Sequence, residues 1–77
     1  MTDTLRAWRE AERLLLRLPD GRDHELVGRA LTDLRDLYVA ITAPSAPTLE
    51  RIELARSQVA VIVAMMQEVR IRNDIAP

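Results

Sequence analysis

The chain has no cysteine, no lysine and no phenylalanine, only two glycines, and no apolar run longer than eight residues. Without cysteine there is no disulfide, no thiolate metal site and no thiol nucleophile. A run of eight falls far short of the about 20 residues a membrane-spanning helix needs. The opening Met1-Thr2-Asp3-Thr4 has no basic stretch ahead of an apolar one, so no secretory signal is expected and the default compartment is the cytoplasm. Balance of charge excludes more. A net charge of -1 gives no electrostatic reason to seek a nucleic acid polymer or an anionic membrane, both of which ordinarily demand a basic face.

What is present is enough to fold. Hydrophobic residues make up 48% and charged residues 30% of 77 positions, a balance outside the range of disordered chains. The length allows one domain, residues 1–77, whose core alone would supply only about 3–5 kcal/mol. With no disulfide to add, oligomerisation is the most available support. All eleven basic residues are arginine, which reads first as genome composition and second as a supply of planar, forked donors for carboxylate or phosphate.

Two punctuation marks divide the chain. Leu18-Pro19-Asp20-Gly21 disfavours helix at Leu18 and suits a tight turn, and Ala43-Pro44-Ser45-Ala46-Pro47-Thr48 sets two prolines among small residues. The segments between them read as three helices. From about Asp3 to Leu18, the residues Ala7, Trp8, Ala11, Leu14, Leu15 and Leu18 recur at steps of three and four, with arginines and Glu10 opposite. Leu5 and Leu16 fall together on a separate flank. The second helix is expected to start at Asp20 or Asp23 as N-cap and to end before Pro44, with Val27, Leu31, Leu34, Tyr38 and Ile41 as its stripe. The third opens at Ser45 or Thr48 and keeps Ile52, Ala55, Val59, Ile62, Met66 and Val69 in register to about Asn73.

The apolar run Val59-Ala60-Val61-Ile62-Val63-Ala64-Met65-Met66 covers more of the third helix than one neighbour can use. The Ile52 stripe pairs with the Val27 stripe as an antiparallel hairpin joined by a short linker. Leu54, Val61 and Met65 lie on another flank, and the spare Leu5 and Leu16 flank of the first helix also lacks a neighbour. A second copy of the chain is the economical cover for both. The expected architecture is therefore all-α: a hairpin of helices 2 and 3, a shorter N-terminal helix, and a homodimer or higher oligomer with Leu5, Leu16, Leu54, Val61 and Met65 at its interfaces.

Chemistry-bearing residues are sparse. His24, the one histidine, sits between Asp23 and Glu25 with no nucleophile at a recognisable spacing, and is expected to be solvated. The pairs Asp33/Asp36 and Glu50/Glu53 have the i, i+3 spacing with which facing helices hold a hard cation. Small helical pyrophosphohydrolases use comparable pairs facing their core. Here the pairs point away from the apolar stripes and toward solvent unless an oligomer brings them together. Trp8 and Tyr38 read as core anchors and the methionines as adaptable packing.

Helix 2, the turn "TAPSAPT" and the start of helix 3, "LERIELARSQVAVIVA", resemble the helical hairpin of small phage proteins that sequester cyclic oligonucleotide signals, through Ile52, Ala55, Arg56 and Ala64. Val59-Ala60-Val61 stands where members of that family carry a tryptophan, and no binding residues carry over. The resemblance implies a homo-oligomer of hairpins with ligand pockets at its seams. The first expectation is thus a non-catalytic, oligomeric adaptor or regulator with no cofactor and no bound metal, whose partners are itself and a further protein. The second is a binder of a small anionic ligand held by Arg56, Arg70 and Arg72 at subunit interfaces. A metal-dependent nucleotide hydrolase is the third.

Overall fold

The three apolar stripes converge on one core. The computed structural model describes residues 2–45 and 48–76, and these form α1 (Thr2–Arg17), α2 (Arg22–Ile41) and α3 (Leu49–Arg72), with no strand among the described residues. Ala46 and Pro47 of the expected linker lie outside the described residues. Ala7, Ala11, Leu14 and Leu18 of the first segment meet Val27 and Leu34 of α2 and Val59, Met66 and Val69 of α3. Trp8 and Tyr38 stack edge to face with ring centroids 6.0 Å apart, an arrangement that aromatic quadrupoles favour.

The helix ends show local chemistry in detail. Thr48 caps α3, its hydroxyl accepting the Arg51 N–H at 3.2 Å. At the other end Asp74 turns left-handed (φ 53), Ile75 N–H donates to the Arg70 carbonyl at 2.9 Å, and Asp74 N–H donates to that of Ile71 at 3.3 Å. This paired return is a Schellman closure, and it folds Ile75 back onto the core.

α2 departs from expectation at its start. Neither Asp20 nor Asp23 caps it; Gly21 occupies the N-cap with φ 153 and ψ -163 and makes no side-chain cap bond. That conformation is nearly confined to glycine, so the chain turns here by backbone freedom rather than by a capping carboxylate. No atom lies within 4 Å of where a Cβ would stand at Gly21, so a substitution there meets no clash. Gly21→Ala is accordingly expected to cost about 1–3 kcal/mol through backbone strain alone, read as a lower urea midpoint at unchanged slope.

Packing also differs from the expected order of pairing. The most extensive contact is between α1 and α2, and that between α2 and α3 is the sparsest. Small residues fit the preference: Ala7 and Ala11 of α1 and Ala30 of α2 are buried without bulk. The result is elongated, 40 × 18 × 16 Å, with a radius of gyration of 13.0 Å where a chain of this length ordinarily has about 11.5 Å.

Candidate interaction surface

Sparse packing between α2 and α3 leaves an open groove along their length. Its wider part, about 570 Å³, is lined by Leu37, Val61 and Ile62, with Asp33, Asp36, Ser57 and Gln58 along the rim. It continues toward the linker past Ala40, Ile41, Leu54 and Ala55, with Arg51 at the end. Leu54 is 59% exposed and Val61 69% exposed, although each is a large apolar side chain one or two turns from buried neighbours. The cause lies in the sequence. Ala55, Val59, Met66 and Val69 already fill the core side of α3, so the apolar residues on its remaining circumference face outward.

The other expected interface residues divide. Leu16 is 88% exposed and borders a cleft with Arg13, Arg17 and Arg70. Leu5 is half-buried. Met65 is half-buried and packed against the core, beside Leu26 of α2, so only part of it faces the flank assigned to it.

Arg56, Arg70 and Arg72 do not come together within one chain. Arg56 lines a cleft between α1 and α3 with Arg6, Ala60 and Ala64. Arg70 donates to Glu10 at 3.4 Å, and Arg72 to Asp23 at 2.9 Å. Nor do the acidic pairs converge. Asp33 and Asp36 line the groove while Glu50 and Glu53 do not, and no group of three or more potential ligands among the described residues is placed to hold a metal ion. His24 is half-buried rather than solvated.

No protein-family model, curated protein or solved structure matches this chain.

One polar cluster escaped the sequence reading. Both carboxylate oxygens of Asp23 are occupied, Oδ1 by Arg72 Nη2 and Oδ2 by Asn73 Nδ2, each at 2.9 Å, which ties the end of α3 to the start of α2. The Asp23–Arg72 separation of 49 positions gives no local signal, so only the fold brings the two together. The bond from Arg72, then that from Asn73, holds the Asp23 carboxyl below its ordinary pKa. A depressed folded-state value means the unfolded chain takes up the proton first. The clasp therefore stabilises above the ordinary carboxylate range and is lost as pH falls through the folded value. Asp23→Asn should lower the thermal midpoint at pH 7, and its difference from the parent should shrink below about pH 4.

The end of α3 is tied to α2 while its middle apolar flank stays open. No helix among the described residues is long and apolar enough to cross a membrane.

Proposed function

We propose that this chain is a non-catalytic interaction protein, an adaptor or regulator that works as a homo-oligomer through its helical surfaces. The observation that carries this reading is surplus exposed area. One chain exposes 5736 Å², whereas a folded monomer of 8.8 kDa ordinarily exposes about 4,800 Å². The surplus of roughly 900 Å² is close to the about 800 Å² that each partner contributes to a stable protein interface. Exposed Leu54 and Val61 border the same groove, so part of that surplus is apolar and contiguous.

Association linked to folding has a simple signature. A chain stabilised by its own copies unfolds at a temperature that rises with protein concentration, because only the folded form associates. The thermal midpoint is expected to climb steadily across a concentration series spanning the dissociation constant. A midpoint independent of concentration, in a protein whose mass is that of one chain, would count against the proposal.

A further inference from the structure

We infer that the partner seated along this groove is a second copy of the chain, with the two α3 helices antiparallel about a two-fold axis near Val59 and Ala60. This rests on the self-association proposed above and specifies its geometry. The residues Arg51, Leu54, Gln58, Val61, Met65 and Glu68 fall within about 100° of arc on α3, at alternating steps of three and four. Leu54, Gln58 and Val61 border the groove, Arg51 stands at its linker end, and Met65 and Glu68 continue the stripe toward the far end of the helix.

That stripe is complementary to itself only when reversed. An antiparallel seam pairs positions equidistant from its axis, and a two-fold axis makes each pair occur twice. Centred between Val59 and Ala60, the seam sets Leu54 against Met65 of the partner subunit and Val61 against Gln58 of the partner subunit. The same register sets Arg51 against Glu68 of the partner subunit, opposite charges at both ends. A parallel seam would set Arg51 against Arg51 of the partner subunit and Glu68 against Glu68 of the partner subunit, both repulsive.

Neither charge has an ion pair closer than 3.9 Å among the described residues. Arg51 is exposed, and Glu68 has a side chain 74% exposed with a 3.9 Å contact to Arg72. Arg72 has its closer partner in Asp23, at 2.9 Å.

The absence of native cysteine allows a direct test. In this register Val61 and its symmetry mate lie only about 5 Å apart along the helix axis, whereas Ile71 and its mate lie about 35 Å apart. Both side chains are exposed, at 69% and 79%, so Val61→Cys and Ile71→Cys should leave the fold intact. A short bis-maleimide is expected to convert most of Val61→Cys, and almost none of Ile71→Cys, to a covalent dimer at a concentration where the native mass is that of two chains. As a second readout, Arg51→Glu and Glu68→Arg should each weaken association, and the double variant should recover most of the loss.

Failure has distinguishable forms. A dimeric protein that cross-links at both positions, or in which the double reversal fails to recover, would overturn the antiparallel register while leaving self-association standing. A single-chain mass at every concentration would overturn both, and would leave the groove to a different protein.

Discussion

Leu34→Ala is expected to leave most of the chain unfolded at low protein concentration. Leu34 is completely buried and is, with Met66, Val27 and Val69, one of the four large side chains that close the centre of the core. Removing three heavy atoms there forfeits their burial and leaves a cavity that rigid helices collapse around only partly. Such changes cost about 2–5 kcal/mol. The whole core of a domain this size supplies about 3–5 kcal/mol, so the loss is comparable to the total. Far-ultraviolet circular dichroism would read it as lost helix at 25 °C. Leu16→Ala provides the control. Leu16 is 88% exposed, and its truncation is expected to change stability by less than about 0.5 kcal/mol.

The second large effect falls on association rather than folding. Val61→Arg places a charge where the isolated chain exposes 69% of the side chain, so the helix content of one chain should be unchanged. At the proposed seam the same arginine is taken out of water opposite Gln58 of the partner subunit, and symmetry repeats this in the second copy. An uncompensated buried charge costs about 3–5 kcal/mol, equivalent to weakening association by at least about 10²-fold. Sedimentation velocity should therefore show a single chain at concentrations where the parent is a dimer. A folded Val61→Arg protein of unchanged mass would place the seam elsewhere. Leu54→Arg is the companion variant, since Leu54 borders the same groove at 59% exposure.

Much of the fold was legible because helices write a period into the sequence. The stripes of Ala7 to Leu18, Val27 to Ile41 and Ile52 to Val69 predicted which residues turn inward, and most are buried or half-buried. The start of α3 was legible to within Ser45 or Thr48, and Thr48 is the cap. The start of α2 was not: the candidates were the carboxylates Asp20 and Asp23, and Gly21 between them takes the cap through its backbone freedom. Asp23, the second residue of the helix, is engaged instead by Arg72 and Asn73. Which pair of helices packs most closely was equally hidden. Stripe positions give direction, whereas closeness depended on the small buried Ala7, Ala11 and Ala30 allowing α1 against α2.

The candidate surface was legible in outline and not in depth. Counting apolar positions on α3 against its available neighbours left Leu54, Val61 and Met65 over, and Leu54 and Val61 are exposed. Met65 packs partly against the core and lines one cleft with Leu26 of α2, a juxtaposition that periodicity along one helix does not reveal. The arginines were legible as donors but not by destination. Glu10 and Asp23 engage Arg70 and Arg72 across gaps of 60 and 49 positions, pairings that no local pattern announces.

The most direct test of self-association is the native mass in solution, measured by light scattering behind a sizing column over a dilution series. A mass of two chains that persists on dilution and falls toward one chain in Val61→Arg is the expected result. A mass of 8.8 kDa at every concentration, with full helix content, would contradict it.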